Sequence, residues 1–296
     1  MRKRVWVVLF VLLAIFSFSG LAGALPSEPN VMVNVGGEVT YGLKEERSFD
    51  WYFFPGSPLI GSSYAMGDIV SNPGSGLIKA ETVLNYHLPF SNDYLEIGAD
   101  VQTWNLIKIV SDELSDGTSV TLYLDLLYSG ILNVQEGVDG KSSLVKVEGL
   151  TTVYDSQGQS LGTRTGTASV TGTNTGGVLD WTSMASGDWS DSLSSEEGEY
   201  FLSYLDTIIF DVLVGDEIWI KFDLALLSRS LEGTENFNFD ESMTYAAAVF
   251  SHTGTYTLRS DDNVGFQTVP EPGIIAMLSI GLAGLFALRR RFSAKQ

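Results

Sequence analysis

Two stretches of the chain, residues 119–128 and 217–227, alternate apolar and polar side chains with a period of two. Their apolar positions are Val120, Leu122, Leu124 and Leu126 in the first, and Ile218, Ile220, Phe222, Leu224 and Leu226 in the second. A strand places alternate side chains on one face, whereas a helix would put Lys221 and Asp223 inside its apolar stripe. The pattern therefore predicts two strands, each with one buried face.

Less regular strands are predicted at residues 30–41, 77–88, 94–110, 144–154, 243–250 and 255–260. Gly36 and Gly37 suggest a bulge in the first of them, and the last two would form a hairpin over residues 251–254. Residues 55–76 contain three prolines and five glycines, which predicts a long surface loop. A short helix is predicted near residues 200–205.

Residues 155–177 are almost entirely Ser, Thr, Gly, Asn and Gln. Such a segment can be a flexible linker between two halves. It can equally be a solvated hairpin, which we favour because threonine prefers strands. Many short strands, glycine-rich turns and the lack of a long amphipathic helix together predict an all-β fold. We expect residues 25–268 to form one antiparallel β-sandwich of jelly-roll type.

Charge divides the chain into three parts. Of its 17 basic residues, seven lie in the first 24 and last 24 positions, and the segment between holds the other ten with all 36 acidic residues, a net charge of −26. A nucleic-acid-binding protein needs a basic footprint, so this class of partner is excluded. Cysteine is absent, which excludes disulfides, a thiol nucleophile and zinc–thiolate sites.

The first 24 residues have the layout of a secretory signal peptide. Arg2, Lys3 and Arg4 precede a run from Val5 to Phe18 that is apolar apart from Ser17. Ala22-Gly23-Ala24 then forms a small-residue cleavage site. We expect export through the Sec machinery and cleavage by signal peptidase after Ala24; the alternative is an uncleaved N-terminal span.

The last residues of the chain form three consecutive parts. Pro270-Glu271-Pro272 is rigid and extended, because proline fixes its own φ and disfavours helix in the residue before it. The 16 residues from Gly273 to Leu288 carry no charge, and Arg289, Arg290 and Arg291 follow. As a helix this run spans about 24 Å, slightly short of a ~30 Å hydrocarbon core. One interpretation is an ordinary C-terminal membrane anchor with its arginines on the cytoplasmic side.

In their order and position these parts resemble a PEP-CTERM sorting signal, which would occupy residues 269–296 with a transmembrane helix at 273–288. The resemblance implies recognition and removal of the tail by an exosortase, an integral-membrane protease or transpeptidase. It also implies an exported protein of an exopolysaccharide-producing Gram-negative bacterium. Such a protein would reside transiently in the inner membrane, then in the envelope, at the outer surface or in the extracellular matrix. The tail is a sorting signal and implies no activity for residues 25–268.

Candidate chemistry in the exported segment is sparse. His87 and His252 are the only histidines, and no nucleophile elbow, HExxH, phosphate loop or EF-hand accompanies them. Asp188 and Asp191, and the run Asp261-Asp262-Asn263, could supply oxygen ligands to calcium. We favour Asx-capped turns at both places. No cofactor is predicted, with calcium left open.

Five tryptophans of the exported segment could stack on sugar rings or pack in the core: Trp51, Trp104, Trp181, Trp189 and Trp219. Trp219 falls on the polar face of its strand, which is suggestive, but core or edge packing is the commoner fate. The sequence favours a non-enzymatic envelope or matrix protein associated with biofilm exopolysaccharide. The alternative is a polysaccharide-binding module or a polysaccharide-degrading enzyme on the same fold.

Overall fold

The computed structural model describes residues 31–42, 44–52, 59–68, 73–86, 96–134, 142–175, 178–196, 199–231 and 245–269. The expected signal peptide with Ala22 and Ala24, His87, the expected helix at 273–288, and the tail residues Pro270 to Pro272 and Arg289 to Arg291 lie outside these ranges. Within them, no helix is long and apolar enough to cross a membrane.

The described residues form fifteen strands and no helix. In chain order they are β1 (Val31–Val35), β2 (Glu38–Gly42), β3 (Lys44–Tyr52), β4 (Leu59–Asp68), β5 (Ser75–Tyr86), β6 (Glu96–Val110), β7 (Ser119–Val134), β8 (Ser142–Tyr154), β9 (Ser160–Thr175), β10 (Val178–Gly187), β11 (Leu193–Glu196), β12 (Glu199–Leu213), β13 (Glu217–Leu231), β14 (Tyr245–Ser260) and β15 (Gly265–Thr268).

These strands make two antiparallel sheets, which confirms the all-β sandwich. Sheet A has the order β10-β9-β8-β13-β6-β1-β2, and β15 pairs with a further stretch of β6. Sheet B has the order β11-β12-β7-β14-β5-β4-β3. The two most regular stretches of the sequence become β7 and β13, which lie at or near the middle of sheets B and A respectively.

The core lies between the facing sides of the two sheets. The even-numbered apolar residues predicted to be buried, from Val120 to Leu126 and from Ile218 to Leu226, are all buried. Phe222 of β13 lies at the centre, with ring centroids 5.1 Å from Tyr128 and 5.3 Å from Tyr256. Period two therefore identified the inner face of each sheet correctly.

The Ser/Thr/Gly-rich segment forms the β8–β9 turn and the single strand β9 of sheet A, so it is one arm of a hairpin with β8 and not a hairpin by itself. Asp155 Oδ1 accepts hydrogen bonds from the backbone N–H groups of Gln157 and Gln159, both at 2.8 Å, and so closes the turn between β8 and β9. In β9, Gly166 faces inward directly under the ring of buried Trp189, where any Cβ would clash with the indole. Glycine is thus required here by the close approach of a large side chain.

Two turn predictions were wrong. Gly36 and Gly37, with φ of 59° and 83°, form the tight turn between β1 and β2 and not a bulge in one strand. Two successive positive φ angles are what a type I′ hairpin turn needs. Conversely, no hairpin forms over residues 251–254, because β14 runs on through them with a register shift at Val249–Thr253 and a left-handed Ser251 at φ 41°.

Two further segments are strands where none was predicted. Residues 200–205 lie in β12, which pairs with β7 from Glu199 to Leu213, so the short helix was wrong. Leu202 and Tyr204 are buried while Leu205 is 76% exposed, an alternation that suits a strand with one inner face. Within the predicted loop at 55–76, β4 and the start of β5 form instead.

Candidate functional site

The C-terminal end of the described fold is fastened to sheet A as far as Val269. Strand β15 pairs with Ile107–Val110 of β6, and Phe266 packs against the core. Ser111 Oγ donates a hydrogen bond of 2.7 Å to the Asn263 carbonyl. The Val269 N–H donates to the Leu106 carbonyl at 3.2 Å. Ordered backbone contacts therefore continue to the residue directly before Pro270.

Val269 packs on an aromatic patch on the outer face of sheet A. This patch, the junction cluster, consists of Trp104, Leu106, Tyr154, Trp219 and Val269. The register of β8, β13 and β6 sets Tyr154, Trp219 and Leu106 side by side across three strands. The Trp104 ring stacks on Tyr154 at 6.3 Å and meets Trp219 edge-on at 6.4 Å, which are favourable aromatic geometries.

A charged pair borders the junction cluster. Lys221 Nζ lies 5.2 Å from the Trp104 ring centroid and 2.9 Å from Asp223 Oδ2. Burial raises the pKa of Asp223 to about 6, although Lys221 acts to lower it. Because this pKa exceeds that of an unfolded aspartate, the contribution of Asp223 to stability is full below about pH 4 and is lost as the pH rises through about 6.

The tryptophans do not form a sugar-binding platform at Trp219. Trp219 is only 5% exposed, so its place on the polar face reflects packing in the junction cluster. Trp189 is core, and the side chain of Trp51 lies outside the description. Trp181 is 44% exposed and donates from Nε1 to the Val134 carbonyl at 3.1 Å.

His252, the histidine that lies within the described residues, is an interior residue and does not lie at a turn. It lies in the bulge of β14, 1% exposed, with its ring against Gly130. Burial lowers its pKa to about 3, an effect that the nearby Phe250 carbonyl only partly offsets. The stability that His252 contributes is therefore present above about pH 6.5 and is lost as the pH falls through about 3.

One candidate calcium ligand, Asp188, bonds to strand β9 and does not cap a turn of its own. Asp188 Oδ2 accepts the Thr165 N–H at 2.7 Å. Asp261 and Asp262 are exposed, in bends between β14 and β15, and the Asp262 N–H donates to Ser260 Oγ at 3.2 Å. Among the described residues, no three His, Cys, Asp or Glu side chains come together as metal ligands would.

A cleft of about 450 Å³ opens beside the β1–β2 turn. Its polar lining includes Asn34, Glu96 and Asp100. Glu96 is held in an ion pair by Arg229, and burial raises the pKa of Asp100 while Lys221 opposes this. Of the two carboxyl groups that line the cleft, Asp100 therefore has a raised pKa and Glu96 is engaged by Arg229.

The outer face of sheet B carries a second polar and aromatic surface that the sequence did not reveal. The Arg259 guanidinium lies 4.4 Å from the Tyr123 ring centroid, and its Nε donates to Asp125 Oδ2 at 2.6 Å. This hydrogen bond holds the pKa of Asp125 below its usual value. Exposed aliphatic side chains surround the group: Leu127, Leu205, Ile209 and Leu213. A helix at 200–205 would not have placed Leu205 opposite Leu127, as the pairing of β12 with β7 does.

Comparison with solved structures gives only weak likenesses. The structure of infectious bursal disease virus Gx strain is 10% identical over 87% of this chain and 71% of that chain, with a TM-score of 0.13. T=1 particles derived from the same virus give 11% identity, 88% and 67% coverage and a TM-score of 0.13. Scores this low carry no argument about fold or function. No curated protein matches the sequence.

The tail matches a known family. Residues 268–291 match the PEP-CTERM protein-sorting motif, a range that includes Pro270 to Pro272 and Arg289 to Arg291. The motif supports an exported protein that is anchored in a membrane before an exosortase, itself a membrane protein, processes it. The match begins at Thr268, the last residue of β15. The chain therefore carries a PEP-CTERM protein-sorting motif that starts within its folded domain.

Proposed function

We propose that this chain is a non-enzymatic structural protein of the cell envelope or exopolysaccharide matrix of a Gram-negative bacterium. The observation that carries the proposal is the PEP-CTERM motif attached directly to the β-sandwich. Signal peptidase would release the front of the chain after Ala24, and an exosortase would release or transfer the domain at the tail. The β-sandwich domain is the part of the chain that would reach the envelope or matrix.

The physical character of the exported segment supports this role. Its net charge of −26 keeps the domain soluble and apart from other polyanions. Its stability comes from one continuous buried core that contains no cysteine, so the fold does not depend on the redox state outside the cell. A matrix protein needs such a domain to persist after release.

The test follows a C-terminal epitope tag through fractionation, in strains with and without the exosortase. Changing Pro270, Glu271 and Pro272 to Ala should leave membrane insertion intact and block loss of the tag. The matched control changes Pro26, Glu28 and Pro29 to Ala, which alters the same residue types outside the motif. If the tag stays joined to the mature protein in both strains, the chain is a tethered β-sandwich and the proposal fails.

Polysaccharide binding is a second candidate, and one observation favours it. Tyr123, Arg259 and Asp125 combine an aromatic face, a cation and a hydrogen-bond acceptor on the outer face of sheet B. Such surfaces can hold sugars by stacking and hydrogen bonding. Tyr123→Ala should abolish co-sedimentation with purified exopolysaccharide if this face binds it. Tyr41→Ala, at a 57% exposed tyrosine of sheet A, is the control.

A further inference from the structure

The sorting motif and the folded domain share residues. The motif begins at Thr268, yet Thr268 pairs with Ile107 of β6 and Val269 donates to the Leu106 carbonyl. The side chain of Val269 is partly buried in the junction cluster, and Phe266 packs on the core three residues earlier. No flexible linker separates the sandwich from Pro270.

A membrane enzyme that cuts this tail has to hold the substrate as an extended chain with free backbone groups, as in other strand-like recognition. Residues 265–269 use part of their backbone hydrogen-bonding capacity on β6. The next stretch of the same β6 edge is also occupied, since Val31 of β1 pairs with Thr103. An enzyme that needs the backbone groups now bonded to β6 therefore cannot take up residues 265–269 while β15 stays in place.

β15 is well suited to leave the sheet on its own. It has four residues, and its burial pattern shows only Phe266 as partly buried. Its removal would leave β6 paired with β13 along Glu96–Lys108 and with β1 along Ala99–Thr103. Short edge elements of this kind open at a lower free energy than the core around them.

Resting on the proposed function, we propose that β15 and Val269 are a positioning element for tail processing. The exosortase acts on the form in which residues 265–269 have separated from β6. When such an opening is fast compared with cleavage, the cleavage rate follows the population of the open form. The junction cluster and the Ser111–Asn263 hydrogen bond then set how often the motif is presented.

A reversible lock tests this directly. Lys108 and Gln267 are exposed and directly opposite each other in the β6–β15 pair. Lys108→Cys with Gln267→Cys places two thiols at a spacing that a disulfide can bridge, in a chain with no other cysteine. The full-length precursor, in exosortase-containing membranes, should be cleaved at least about tenfold more slowly when oxidised, and at the wild-type rate after reduction.

Two controls separate the lock from general stiffening. Ser129→Cys with Ser203→Cys makes a comparable cross-strand disulfide between β7 and β12, far from the tail, and should be cleaved at the wild-type rate. In the opposite direction, Leu106→Ala loosens the junction cluster and should speed cleavage about threefold or more, because it raises the open population. Leu132→Ala, in the core of sheet B, should not.

The outcomes are distinct. Normal cleavage of the oxidised Lys108/Gln267 pair would overturn the positioning role while leaving exosortase processing intact. Failure of the wild-type precursor to be cleaved in these membranes would remove the proposed function and this inference with it. Hydrogen exchange on the uncleaved precursor gives an independent reading: amides of residues 265–269 should exchange faster than those of β6 and β13. Equal protection would contradict the separation of β15.

Discussion

Phe222 gives the sharpest test of the sandwich core. Its side chain is fully buried, and its ring lies 5.1 Å from Tyr128 and 5.3 Å from Tyr256. The ring tip also fills space beside Gly254, where a Cβ would lie 2.8 Å from Cζ. Backbone on that side cannot collapse into a cavity, so Phe222→Ala should cost the upper part of about 3–5 kcal/mol.

The free energy of unfolding is read from urea titration of the exported protein by tryptophan fluorescence. Phe222→Ala should lower the midpoint with an unchanged slope, and a loss of about 4–5 kcal/mol should lower the melting temperature by about 8–20 °C at ~2–4 °C per kcal/mol for a domain of this size. Leu205→Ala is the control, because Leu205 is 76% exposed and its truncation should stay within about 0.5 kcal/mol. A loss below about 1 kcal/mol for Phe222→Ala would refute the central position of this ring.

Three further predictions use the same unfolding assay. Gly166→Ala should destabilise by about 1–3 kcal/mol, because the new methyl group overlaps the Trp189 ring, and a neutral result would contradict that packing. Ser251→Gly should stabilise by up to about 1 kcal/mol by relieving a left-handed backbone, and a clear loss would argue against the φ of 41°. Between about pH 4 and 6, buried His252 makes the free energy of unfolding rise with pH, and Asp223 with its raised pKa opposes that rise. Asp223→Asn should therefore make the free energy of unfolding rise more steeply with pH in this range. An unchanged slope would show that the pKa of Asp223 is not raised.

The strands could be predicted wherever one face is apolar over many residues. β7 and β13 satisfy this condition, and their buried sets were correct. Residues 200–205 failed because a six-residue window with three aromatics, YFLSYL, fits a helix and a strand equally well until its pairing with β7 is known. The bulge in β14 likewise could not be predicted, because it arises from the register of β14 against β5 and β7, which the local sequence does not indicate.

The junction cluster could not have been predicted from spacing. It joins side chains of β6, β8, β13 and the segment after β15, which are distant in sequence and meet only through the order of sheet A. The one available signal was Trp219 on a polar face beside Lys221. That position left sugar stacking open, but packing was the favoured interpretation for the tryptophans, and the structure shows Trp219 packed. Val269 supplies part of that packing.

The arrangement of β1 and β15 along β6 explains why the two ends of the precursor should be processed differently. Val31 pairs with Thr103 and Val269 bonds to Leu106, so both ends of the described fold meet β6 within three residues, about 10 Å at ~3.3 Å per residue. The sandwich can therefore form while both predicted membrane segments are inserted, since its two ends lie close together along the same side of β6. At the front, residues 25–30 separate the expected cleavage site after Ala24 from β1. At the back, Pro270 follows Val269 with no residue between them. Cleavage by signal peptidase should therefore be indifferent to the stability of the domain, whereas cleavage at the tail should depend on how firmly β15 is held.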